Sequence, residues 1–151
     1  MSLLPVSHRS QLQSADCLAA CAAMVLDYLD VSFDYDDLLD LLRITPFGAK
    51  FQNLVYLESL GVKVLTARGE LETLATHLKR GVPPIAFVKT AELSYWDEAN
   101  NHAVVIIGIE GRQVFVNDPA FADAPKRIWV DEFMLAWMDM DQFYGLIEKE
   151  D

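Results

Sequence analysis

Cys17 opens an apolar stretch, Asp16-Cys17-Leu18-Ala19-Ala20-Cys21-Ala22-Ala23-Met24, and Gln11 stands six residues before it. Far downstream comes Asn101-His102-Ala103-Val104-Val105-Ile106-Ile107-Gly108, and sixteen residues after the histidine comes Asn117-Asp118-Pro119. A thiol nucleophile needs a base to ionise it, a third group to orient that base, and donors for the oxyanion that forms on attack. Cys17, His102, Asp118 and Gln11 supply one residue of each type. The chemistry they could carry is acyl transfer from a carbonyl carbon to sulfur and then to water or to an amine.

Each role has a physical basis. The helix macrodipole concentrates partial positive charge at the first turn, where Cys17 would sit, and a nearby imidazolium adds a full charge; both favour a thiolate. His102 at a strand start and Asp118 just past the partner strand can meet across a hairpin, because the turn brings strand ends together. The carboxylate would then fix the ring and its tautomer. The Gln11 side-chain amide and the Cys17 backbone N–H are the candidate oxyanion donors, with Gln13 as the alternative if the register differs. Asp16 beside the nucleophile opposes a thiolate, so its side chain is expected to turn away and cap helix N–H groups. Taken singly, each residue has an ordinary structural role. A buried Cys is a small hydrophobe, a His can be satisfied in a core, and Asp before Pro is a common turn residue. The joint occurrence, each on the expected element, carries the inference. His77 on a helical face and His8 in a segment expected to fray have no such context.

The elements that must hold these residues follow from periodicity and breakers. Ser14 or Asp16 can cap a helix over about 16–29. A short helix over 36–42, a loop at Thr45-Pro46-Phe47-Gly48 and a helix over 50–59 ended by Gly61 come next. Val62–Leu65 is a strand, 70–79 a helix closed by Gly81, and 83–88 a buried strand led by prolines. Ala103–Ile109 and Gln113–Val116 form a hairpin about Glu110-Gly111-Arg112. A helix over 130–137 and a strand over 143–147 complete the chain. This is an α+β pattern, with N-terminal helices packed on a C-terminal antiparallel sheet.

The 151 residues suit one domain, 1–151, and 52% hydrophobic against 23% charged residues is enough for a core. The longest apolar run, Cys17 to Leu26, is ten residues, about half of what a bilayer span needs. No membrane span or signal peptide is visible. The net charge of −11 argues against nucleic acid as a partner, since phosphates attract Lys/Arg patches and none appears. Acidic residues gather at Asp27, Asp30, Asp34, Asp36, Asp37 and Asp40, the pattern of a solvated helical face or of a patch for basic peptide segments. Cys17 and Cys21 would share a helix face one turn apart, a poor geometry for a disulfide. A reduced, cytoplasmic setting follows. With one distant His they offer three ligands at the wrong spacing for zinc, so no metal and no cofactor is expected.

The chain resembles the C39 peptidase family, the papain-like cysteine peptidases that process double-glycine leader peptides, and its C39-like relatives. The resemblance runs from Gln11 to about Ile147. It rests on Gln11, Asp16-Cys17, Cys21 and Met24 at the N-terminus, on His102 before an apolar strand, on Asp118-Pro119, and on Gly48 with the Leu54…Leu60-Gly61 helix end. It implies a papain-like fold, Cys17 as nucleophile, His102 as base, Asp118 as orienting group and Gln11 as oxyanion donor. It implies a peptide or leader-peptide substrate cut after small residues and an ABC exporter as partner. The chain has no ATP-binding P-loop, so it would be free-standing or excised, and could sit at the cytoplasmic face of the membrane through that partner. Leu18 departs from the family's Gly after the nucleophile. A side chain there is expected to narrow the cleft, with Gly48, Trp96 and Phe121 as further substrate-binding walls. Two other functions use the same residues: a Cys-dependent acyl or aminoacyl transferase, and a non-catalytic peptide-binding C39-like domain.

Overall fold

Helix α1 (Cys17–Tyr28) is apolar all round, and every residue from Leu18 to Leu26 is buried, as a helix with no polar stripe must be. Four alanines among them (Ala19, Ala20, Ala22 and Ala23) let neighbouring elements approach closely. The fold was obtained as a computed structural model that describes residues 3–150. After α1 comes α2 (Tyr35–Leu41), whose N-terminus is capped by Asp34, its Oδ1 accepting from the Asp37 N–H at 3.1 Å. A 3₁₀ helix (Phe51–Leu60) stops at Gly61, which takes the left-handed conformation with φ 86°, a backbone state that costs glycine nothing.

The remaining elements are β1 (Val62–Arg68), α3 (Leu71–Lys79), β2 (Ile85–Lys89), a single 3₁₀ turn (Thr90–Glu92), β3 (Asn101–Glu110), β4 (Gln113–Asn117), β5 (Lys126–Trp129), α4 (Val130–Met138) and β6 (Phe143–Lys149). The six strands form one antiparallel sheet in the order β1-β6-β2-β3-β4-β5. Alternation along β3 feeds two cores. Ala103, Val105 and Ile107 pack with α1, α2 and the long 3₁₀ helix. Val104 and Ile106 face the opposite side, with α3 and α4. The sheet is thus covered on both faces, and β3, buried almost throughout, is its centre.

The α+β architecture, with helices on an antiparallel sheet, follows the expectation. Three local features differ. The stretch expected as a helix over 50–59 is wound as a 3₁₀ helix. Strand β5 was not foreseen: it is a sheet-edge segment in which only Ile128 is buried, so its alternation is too weak to separate it from a loop. The N-terminal segment is not frayed. The Leu4 N–H donates to the Ile107 carbonyl and the Gln11 N–H to the Pro119 carbonyl, both at 2.8 Å. The Asn117 Nδ2 donates to the Val6 carbonyl at 2.9 Å, and His8 Nε2 to the Asp118 carbonyl at 2.8 Å. These bonds bind residues 4–11 to the end of the β3–β4 hairpin.

Candidate active site

His102 is the second residue of β3 and lies opposite Val88 of β2. Asp118 follows Asn117, which pairs with Val105, so the aspartate sits just past the ladder, diagonal to the histidine. The two side chains meet: His102 Nε2 and Asp118 Oδ1 are 2.7 Å apart, at 4% and 0% exposure. With Nε2 committed to the carboxylate, Nδ1 is the nitrogen that can exchange a proton with a thiol. Cys17, half-buried at the first turn of α1, interacts with the His102 ring.

Burial penalises a charged imidazole. The hydrogen bond to Asp118 and the contact with Cys17 outweigh that penalty and hold His102 up to about 9. Burial also pushes Asp118 up, yet its bond and charge interaction with His102, with the Ala120 N–H and Trp96, keep it below the ordinary carboxylate value. The Asp118 carboxylate accepts four hydrogen bonds. Oδ1 receives His102 and the Ala120 N–H (2.9 Å); Oδ2 receives the Tyr95 hydroxyl (2.8 Å) and Trp96 Nε1 (2.9 Å). The Trp96 ring stands edge-on to the imidazole, centroids 4.8 Å apart.

An open cleft of about 490 Å³ runs past these groups, with Gln11, Cys17, Gly48, Trp96, Glu98 and His102 among its walls. Gln11 Nε2 donates to the carbonyls of Gln13 (3.0 Å) and Ser14 (3.3 Å). The turn before α1 thereby fixes this amide beside the nucleophile. Gln13 contributes its backbone carbonyl, and its side chain is exposed. Asp16 occupies the N-cap position without a side-chain capping bond and is buried. Asp16 therefore does not cap α1 through its side chain; burial first, and then the Asp16 charge, push the Tyr35 hydroxyl at the start of α2 up to about 12. Cys21 is wholly buried, and that burial, with the charges of Cys17 and Asp118, pushes its thiol well up.

Two of the expected cleft walls lie elsewhere. Leu18 is 2% exposed and belongs to the core beneath α1. Its side chain leaves the helix about 100° around from Cys17, which takes it away from the cleft. Phe121 packs behind the site, with ring centroids 5.2 Å from both Tyr95 and Trp96. Gly48 and Trp96 do line the cleft. Tyr95 and Glu98 were not singled out from sequence. Tyr95 lies between Ser94 and Trp96 in an irregular loop, where no periodicity marks its direction. Glu98 is among the residues of the cleft wall, and its only sequence mark is an acidic loop.

Helices packed on an antiparallel sheet, with a half-buried thiol at a helix N-terminus beside a buried imidazole–carboxylate pair, make up the architecture of the papain-like fold. The chain matches the Peptidase C39 family over residues 6–141 and belongs to that family. Several solved structures share the fold. A double glycine motif protease from an AMS/PCAT transporter, solved in complex with the leader peptide, is 21% identical over 99% of this chain and 95% of that one, with a TM-score of 0.79. A C39-like peptidase from Bacillus anthracis is 18% identical over 99% and 98%, with a TM-score of 0.81. The peptidase domain of Streptococcus ComA, a bifunctional ABC transporter involved in quorum sensing, is 18% identical over 96% and 99%, with a TM-score of 0.79. No curated protein sequence matches significantly. Among the described residues no helix is long and apolar enough to cross a membrane.

Proposed function

We propose that this protein is a cysteine peptidase that hydrolyses a peptide bond through Cys17, His102 and Asp118. The observation that carries the reading is the buried 2.7 Å bond from His102 Nε2 to Asp118 Oδ1, with Nδ1 left toward Cys17. His102 takes the proton from the Cys17 thiol. The thiolate attacks the scissile carbonyl carbon, forming a C–S bond and an oxyanion. Collapse breaks the C–N bond, and His102 gives its proton to the leaving amine. His102, now neutral, takes a proton from water, whose oxygen attacks the thioester; the carboxylic acid product leaves and the thiol returns.

Gln11 is the oxyanion donor together with the Cys17 backbone N–H. The two carbonyls that accept from Nε2 belong to neighbouring residues, so one N–H can serve both in a bifurcated bond. The second is then free for the oxyanion. Asp118 orients and stabilises the imidazolium. Gly48 and Trp96 flank the peptide. The substrate is a peptide with small residues before the cut, of the double-glycine leader type, in keeping with family membership and with the leader bound to one of the structural relatives. An ABC exporter is the corresponding partner, since relatives of this fold are domains of such transporters.

The test is a peptide library varied at the two residues before the cut, read by mass spectrometry. Cleavage after Gly or Ala, lost in Cys17→Ala, is the expected result. Preference for large residues there removes the leader-processing reading; cleavage that persists in Cys17→Ala removes the thiol mechanism.

A further inference from the structure

We infer that Tyr95 and Trp96 are positioning residues of this site: their two donors converge on Asp118 Oδ2 and lock the carboxylate with Oδ1 toward His102. The inference rests on the thiol-peptidase reading of Cys17 and His102 and extends it to the loop before β3. The Tyr95 hydroxyl reaches Oδ2 at 2.8 Å and Trp96 Nε1 at 2.9 Å, while the Ala120 N–H shares Oδ1 with His102. A carboxylate can rotate about its Cβ–Cγ bond. Here rotation would break three bonds besides the one to His102, in a site where water cannot replace them because Asp118 is fully buried.

The donors are themselves held. Tyr95 and Trp96 both pack edge-on to Phe121, with centroids 5.2 Å away. The Lys126 ammonium lies over the Tyr95 and Phe121 rings, at 5.1 and 4.9 Å from their centroids. Trp96 closes the assembly by resting its ring edge against His102. Tyr95 is in addition pushed up as an acid, first by burial and then by the Asp118 charge, so its hydroxyl remains a donor throughout the working range. The loop thus does for Asp118 what Asp118 does for His102.

The titratable and charged groups around the pair are Cys17 and Cys21 on α1, Tyr95 in the loop, Glu132 on α4, which acts on Tyr95, and Lys126 on β5, which lies over the aromatic rings. His8 reaches the Asp118 carbonyl, not its carboxylate. Tyr95 and Trp96 are the side-chain donors to Oδ2. Their removal frees the carboxylate to turn, so His102 loses orientation and part of what holds its proton. The pH range over which His102 holds its proton beside Cys17 then narrows.

The experiment is the pH dependence of Cys17 alkylation by iodoacetamide in the parent protein, Tyr95→Phe and Trp96→Phe, with peptide cleavage measured alongside. Tyr95→Phe removes one oxygen and keeps the ring. It is expected to narrow the reactive plateau, to lower kcat on the order of 10-fold with KM unchanged, and to leave the melting temperature within a few degrees. Trp96→Phe is expected to narrow the plateau as well, with an added KM change because Trp96 also lines the cleft. A plateau of unchanged or greater width in Tyr95→Phe overturns the inference. If the parent alkylates selectively at Cys17 but cuts no peptide, the peptidase reading fails while the alkylation profiles still decide the positioning role. If Tyr95→Phe melts far below the parent, Trp96→Phe at the same Oδ2 atom decides it.

Discussion

His102 and Asp118 are sixteen residues apart in the chain and 2.7 Å apart in the fold, both nearly inaccessible to water. The β3–β4 hairpin brings them together, and its register shifts between Ile106 and Gly108, so one extra residue on β3 sets where His102 falls relative to Asp118. A buried charged pair of this kind is costly to half-remove, because the remaining partner keeps its desolvation penalty.

Cys17 and Cys21 differ in what surrounds them, and their alanine variants are expected to separate cleanly. Cys17→Ala abolishes turnover and leaves the melting temperature near that of the parent. Cys21→Ala retains most activity, with a modest loss of stability from its wholly buried position. Kinetics and thermal melts of the two variants check this. A well-folded but inactive Cys21→Ala would reverse the assignment.

Asp118→Asn keeps the shape of the side chain and removes the charge. The amide cannot satisfy His102, Tyr95 and Trp96 as acceptors in the same way, and the imidazolium loses its counter-charge. A fall in kcat of ~10²–10⁴ is expected, by analogy with the orienting aspartate of other triads. Single-turnover kinetics on a cleaved peptide would measure it, and a change under threefold would show that Asp118 does not orient the base.

His102 sets a stability trend in neutral to alkaline solution. Its folded value is raised to about 9: burial opposes the proton, and Asp118 and Cys17 outweigh burial. A raised value means that the proton stabilises the fold. The contribution is complete below the unfolded value of ~6.5 and disappears as pH rises through about 9. Asp118 works in the opposite sense: its lowered value lends stability that is present above the ordinary carboxylate range and lost only in strong acid. Melting temperature is therefore expected to decline from ~6.5 to about 9 in the parent and to decline less in His102→Ala. The same titration places the alkaline limb of kcat/KM near the upper end. Melting temperatures that rise across this window would contradict the buried ion pair.

Gln11→Ala is expected to reduce kcat by ~10²–10³ with little change in KM, the usual loss for one oxyanion donor. The two carbonyls that accept from Gln11 lie in an exposed turn, so water can replace the amide and its loss should barely alter stability. An unchanged kcat would leave stabilisation of the oxyanion to the backbone alone.

Gly145 on β6 shows how tightly the sheet meets the long 3₁₀ helix. A Cβ added there would stand 2.6 Å from Leu54 Cδ1 and 3.4 Å from two ring atoms of Phe51. Gly145→Ala is expected to destabilise by ~1–3 kcal/mol through overpacking. Chemical denaturation is the measure. The substitution lies far from Asp118 in sequence and in a different part of the sheet, so residual activity of the folded fraction should stay near that of the parent.

The sequence by itself determined which residue types stand where. Cys17 at a helix start, His102 at a strand start and Asp118 before a proline are properties of local pattern, and so are most helices, the β3–β4 hairpin and the apolar faces of β3. Tertiary structure alone decided where side chains point and which distant segments pair. Leu18 enters the core because α1 is buried all round, so no pattern of polar residues marks which side of the helix faces the cleft. Strand β1 pairs with β6 from the other end of the chain, a contact whose two halves no local pattern holds together. The N-terminal segment is ordered by hydrogen bonds to Ile107, Asn117, Asp118 and Pro119, all supplied from over a hundred residues downstream. Tyr95 finds Asp118 from an irregular loop, where neither the helical nor the strand period constrains direction. Local periodicity encodes the backbone's element and its apolar faces; the last few ångströms of a polar site depend on packing between elements, which no short window of sequence contains.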